Sequence, residues 1–232
     1  LPDLIQGIKP SVVAVGTYYF NDVPKAAYLG TGFAVGSGRL IMTSFHVVKP
    51  LVREEKQSRL RIFHRDLPSK GVKAKLAAWD EFHDLALLEH GGSPLSPLGL
   101  EKDEPAVREG VEVAFTGYPI GFVLGLNPTT HRGIVSSIAP LVKPSPSARI
   151  MDGRTIRHLD DPYEVFQIDA VAYPGNSGSP VFKTSDGRVI GVINQVFVRG
   201  RKEHVLREPS GITYAIPIGF ALDLMKRKPR KP

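Results

Sequence analysis

The spacing of the turn residues is what most constrains the fold of this chain. Apolar, β-branched runs of strand length follow one another with Gly, Pro, Asn or Ser between them, from SVVAVGTYYF through YLGTGFAVG and GRLIMTS. The 232 residues include 23 glycines and 20 prolines, which leave little room for the long uninterrupted stretches of a helical core. Further strands are expected at Arg59 to His64, Val72 to Trp79, Leu85 to Glu89, Val111 to Gly117, Thr130 to Ile138, Val165 to Ala170, Ser179 to Lys183, Arg188 to Asn194 and Gly211 to Pro217. Short helices should open the chain in LPDLIQGIKP, stopped by Pro10, and close it from Ile218 to about Arg227. So many short strands point to a barrel or sandwich, and this length suits two small β-barrels sharing one interface. A Pro-, Ser- and Gly-rich stretch from Gly91 to Pro105 is the expected link, giving units of 1–105 and 106–232.

Composition then removes several function classes. With no cysteine there is no disulfide framework, no thiolate zinc site and no cysteine nucleophile. His83 and His90 flank one strand seven residues apart and fall on opposite faces under a period of two, so no metal is expected. The methionines read as packing residues, and no cofactor is implied. The most apolar stretch, Val111 to Leu126, is broken by Pro119 and three glycines, so no membrane-spanning segment is expected. The chain opens on Leu1, which suggests that a signal or anchor segment has been removed. Of the formal charge of +7, five charges sit in the terminal KRKPRKP, and GTGFAVGSG lacks the GK[ST] of a phosphate loop. Nucleic acid is therefore not an expected partner.

Three strings could carry chemistry. In YPGNSGSPVF, glycines on both sides of Ser177 permit a tight turn that exposes its hydroxyl and aims nearby amides at one point, although the same residues also make an ordinary surface turn. A serine hydroxyl needs a base and an orienting acid to become a nucleophile. TSFHVV puts His46 at the end of an apolar strand, and FHDLALLEH puts Asp84 just before another. Each has a plain structural reading as well, and Asp80 is a rival to Asp84.

Taken together, the strings resemble the trypsin-like fold, most closely its HtrA/Deg branch, over nearly the whole chain. GTGFAVGSGRLIMTSFHVV, HDLALL, AVREGVEVAFTGYPIGF, HRGIVSSI, FQIDAVAYPGNSGSPVF, GRVIGVINQV and GITYAIPI follow in that branch's order. The resemblance implies an all-β fold of two six-stranded antiparallel barrels. It further implies a serine endopeptidase in which Ser177 attacks, His46 moves the proton and Asp84 orients the imidazole. Main-chain donors from Gly175, Asn176 and Ser177 would hold the oxyanion. Val171, Ala172, Ile193 and Asn194 would line the primary specificity pocket.

Ser179 departs from the usual GNSGGP and makes the string similar to that of glutamyl endopeptidases, which cut after acidic residues. The four pocket residues offer no cation or imidazole for a carboxylate, so small or medium aliphatic residues are expected before the cut. The resemblance also implies protein or peptide substrates, extracytoplasmic (periplasmic or secreted) quality-control or regulatory proteolysis, and a gating loop between Pro140 and Pro162. A homotrimer through Tyr18, Tyr19 and Phe20 is the implied assembly, with a buried strand explaining those rings equally well. The rival reading is a catalytically silent member of the fold acting as a binding or chaperone module.

Overall fold

The computed structural model describes residues 1–102, 107–119, 126–141, 162–194 and 212–227. The expected link boundary at 105, all but the ends of the loop between Pro140 and Pro162, and the last five residues of the basic tail lie outside the described residues.

Six strands close into one antiparallel barrel in the order β1-β2-β3-β6-β5-β4: β1 (Val12–Tyr18), β2 (Ala26–Val35), β3 (Leu40–Ser44), β4 (Leu60–Phe63), β5 (Val72–Asp80) and β6 (Leu85–His90). A second barrel runs β10-β11-β12-β9-β8-β7, from β7 (Glu112–Gly117), β8 (Thr129–Pro140), β9 (Glu164–Asp169), β10 (Pro180–Lys183), β11 (Val189–Asn194) and β12 (Ile212–Pro217). Three α-helices accompany them among the described residues: α1 (Pro2–Ile8), α2 (Phe45–Arg53) and α3 (Ile218–Lys226). None is long and apolar enough to cross a membrane.

Side-chain alternation explains why the strand sequences read as continuous apolar runs. An extended strand sends successive side chains to opposite faces, and in β1, β3, β6 and β11 both faces are buried. Val13 and Val15 of β1 point into the first barrel with Ile41, Ile62 and Leu88, while Val12 and Ala14 point out toward the second. On β11, Ile190 and Ile193 enter the second barrel's interior with Val113 and Phe115. Val189 and Val192 turn outward and join Val12, Phe33, Leu85 and Leu87 in a third cluster that belongs to both barrels. That shared cluster welds the two halves into one body, and it fixes the loops that meet along the joint.

Candidate active site

Strand pairing brings His46 and Asp84 together. β3 and β6 are neighbours with Ser44 opposite Leu85, so the residues just past that pair, Phe45 and Asp84, continue the ladder through Phe45 N–H to Asp84 O at 2.9 Å. His46 then lies in the first turn of α2, and its Nδ1 is 2.6 Å from Asp84 Oδ2. The backbone N–H of His46 donates to Asp84 Oδ1 at 2.8 Å, and Asn194 Nδ2 donates to Oδ2 at 2.8 Å. An ionised carboxylate only accepts, so these contacts place the proton of the neutral imidazole on Nδ1 and leave Nε2 as a basic lone pair. Asp84 achieves this with φ of +55°, a left-handed backbone that Asp tolerates better than most residues.

Ser177 sits in the loop between β9 and β10, clamped from both barrels. Thr31 of β2 holds it twice: its N–H donates to Ser177 O at 2.8 Å and its hydroxyl to Gly175 O at 2.7 Å. Gly178 N–H donates to Ile193 O at 2.9 Å, and Ser44 Oγ donates to the same carbonyl at 3.0 Å. Ser177 is 5% exposed, and a Cβ placed on Gly30 would meet both Ser177 O and Val47, the residue after His46. Serine loop and histidine helix therefore share one wall. Among the described residues no hydrogen bond joins the Ser177 hydroxyl to His46; such bonds are often long without substrate and tighten when it binds.

The amides of this loop fall into two groups. Asn176 N–H, expected among the oxyanion donors, is already committed to Tyr173 O at 2.9 Å. Gly175, with φ of +102°, and Ser177, on either side of Asn176, have amides without an acceptor among the described residues. Two unpaired donors flanking Asn176 beside a serine hydroxyl suit an oxygen that gains negative charge.

The four expected pocket residues also part company. Ile193 is fully buried in the second barrel's interior and Ala172 packs against the same cluster, whereas Val171 is only half-buried. Asn194, next along β11, turns the opposite way and its amide serves Asp84 rather than a pocket wall. The interior cluster receives an imidazole that the sequence reading did not place there. His131 of β8 stacks on Phe115 at 4.9 Å and lies 5.9 Å from the Tyr173 ring, and burial pushes its pKa down. It is a neutral polar group beneath the nucleophile loop.

Asp80, the rival acid, is engaged elsewhere. Its Oδ1 accepts from the N–H groups of Phe82 and His83 at 3.0 and 3.1 Å, and its Oδ2 contacts His83 Nδ1 and Arg227, each at 3.0 Å. Burial pushes its pKa up, but the hydrogen bonds from His83 and the charges of His83 and Arg227 outweigh that and hold the carboxyl well below the usual range. A depressed folded-state pKa contributes stability that is present above the unfolded value of about 3.9 and is lost as pH falls through the folded one. Asp80→Asn is thus expected to lower the unfolding free energy at pH 7, with the gap to wild type closing below about pH 3.9. Denaturant titrations at both pH values check it.

A family model described as the trypsin-like peptidase domain matches residues 30–192. The chain belongs to that family. It is 31% identical over 204 residues to a probable periplasmic serine endoprotease, DegP-like, of Pseudomonas fluorescens, covering 86% of this chain and 35% of that one. It is 29% identical over 233 residues to the mitochondrial serine protease HTRA2 of Drosophila ananassae, covering 98% and 47%. The chain thus spans about a third to a half of the length of these relatives. Among solved structures, Deg5 aligns with a TM-score of 0.64 at 25% identity over 96% of this chain and 90% of that one. A protease of M. tuberculosis in its active form aligns at 0.67 over 99% and 86%, and its 20% identity speaks for the fold alone.

Proposed function

We propose that this chain is a serine endopeptidase of the HtrA/Deg type that cleaves proteins or peptides through an acyl-enzyme. The reading is carried by one observation: His46, fixed by Asp84 with its basic nitrogen free, lies beside a serine loop that presents two unpaired amides. Ser177 Oγ attacks the scissile carbonyl carbon while His46 Nε2 takes its proton; the tetrahedral oxyanion enters the space before the Gly175 and Ser177 amides. His46 then returns the proton to the leaving amine, and water enters by the same route to release the acyl group. Asp84 holds the tautomer and stabilises the imidazolium without taking a proton.

A fluorophosphonate probe tests the proposal. Covalent labelling mapped to Ser177, with digestion of casein by the same preparation, is the expected result. Absence of label on a folded protein would favour the silent binding-module reading instead. Asn194 is expected to matter to rate. Its amide is one of three donors that hold Asp84, and a hydrogen bond to a charged group contributes about 1.5–3 kcal/mol. Asn194→Ala should therefore lower kcat at least tenfold, read by steady-state kinetics.

The periplasmic names of the DegP-like relatives support an extracytoplasmic setting. A homotrimer is the assembly proposed, supported by the 66% exposed Phe20 and the 99% exposed Val23 beside Tyr19 at the β1–β2 turn.

A further inference from the structure

Asp84 adopts its left-handed backbone at the end of a five-residue turn, Asp80 to Asp84, and a non-glycine residue at φ of +55° persists only where its surroundings impose it. The surroundings here come largely from the other barrel. The His83 ring lies flat on Phe220 of α3, with centroids 3.8 Å apart and an interplanar angle of 18°. Tyr163, just ahead of β9, meets it edge-on at 4.7 Å, and Phe82 closes another side at 4.9 Å. Its Nδ1 is tied to Asp80, which Arg227 at the end of α3 also grips. Three rings and one ion pair therefore immobilise the residue immediately before Asp84, and the C-terminal helix supplies one ring and the cation.

We propose that His83 is a positioning residue for the reaction: clamped between α3 and Asp80, it holds the 80–84 turn in the one conformation that aims Asp84 at His46. The proposal rests on the peptidase reading for its effect on rate, but the geometry it asserts is independent of turnover. The Asp84 carboxylate has two close contacts with His46, one through each oxygen, and a turn that relaxes at His83 rotates both away together. Catalytic geometry is sensitive to displacements of this kind, with about 1 Å of misplacement costing up to a hundredfold. By this arrangement the second barrel, which carries the nucleophile, also sets the orientation of the acid in the first.

The test compares wild type with His83→Leu and His83→Gln at a temperature where all are folded by circular dichroism. His83→Leu should lower kcat ten- to a hundredfold with KM within about twofold. The low-field NMR resonance of the proton between His46 and Asp84 should shift or broaden in parallel. His83→Gln, which can still bond Asp80, should recover part of both. If His83→Leu does not fold, Phe220→Leu, which removes the ring face alone, should move the same two readouts in the same direction. A variant that is merely less stable, with kcat and the resonance unchanged, overturns the proposal. Should the wild type neither hydrolyse peptides nor label, the peptidase reading fails by itself. The resonance then decides on its own: perturbed in His83→Leu it supports the positioning role, and unperturbed it overturns it.

Discussion

Ser177→Ala is expected to lower kcat for peptide hydrolysis by a factor on the order of 10⁶ while leaving the unfolding free energy within about 0.5 kcal/mol of wild type. The first half follows from the division of labour, since a base and an acid accomplish nothing without the oxygen that forms the acyl bond. The second half follows from the contacts. The loop is held through main-chain and Thr31 bonds, and the Ser177 hydroxyl makes no hydrogen bond among the described residues, so its removal orphans nothing. Asp84→Asn should cost about 10⁴ instead, because an amide nitrogen set against His46 Nδ1 or Asn194 Nδ2 puts donor against donor and favours the wrong imidazole tautomer. The double variant should be no slower than Ser177→Ala alone, for these groups act as a unit. Steady-state kinetics with active-site-free protein as a background control decides both numbers; a loss of only tenfold for Ser177→Ala would remove the nucleophile from the proposal.

How much of this could be read from the sequence depends on the range of each interaction. Strand positions were legible because short apolar or alternating runs stand between turn residues, and β5, β6 and β9 fall where those runs do. Helix α2 was harder. The sequence puts His46 at a strand end beside a short helical turn, whereas the helix runs on through Pro50 to Arg53 with Phe45, Val47, Val48 and Leu51 buried against the first barrel. His46, Asp84 and Ser177 stood out from their local strings and from family resemblance. Their supports did not. Thr31 and Asn194 lie 144 and 110 residues from Gly175 and Asp84, the partners they bond, and nothing local marks them. The period of two on β11 does imply that Ile193 and Asn194 face opposite ways, which could have removed Asn194 from the pocket wall before any coordinates. The commitment of the Asn176 amide to Tyr173 is a matter of backbone dihedrals, which side-chain identity fixes closely only at proline.

Glycine is where the loop's geometry can be tested most severely. Gly178 has φ of +88°, and a Cβ there would run into Thr31 O and Thr43 Oγ1, with Ser44 N 3.1 Å away. Those atoms cannot give way cheaply. Thr31 O accepts the Thr43 hydroxyl at 2.6 Å, the Thr31 amide holds Ser177, and Ser44 ends the strand that leads to His46. Gly178→Ala is therefore expected to destabilise the fold by more than about 4 kcal/mol, through steric overlap with backbone added to the cost of a left-handed alanine. Gly110 separates the two contributions. Its φ is +85°, nearly the same, but a Cβ there would have nothing within 4 Å. Gly110→Ala should lose only about 1 kcal/mol, the conformational part alone. Chemical denaturation of both variants reads the difference directly. Equal losses would mean that the nucleophile loop is free to retreat from β2 and β3, and that the clamp described here does not hold Ser177 in place.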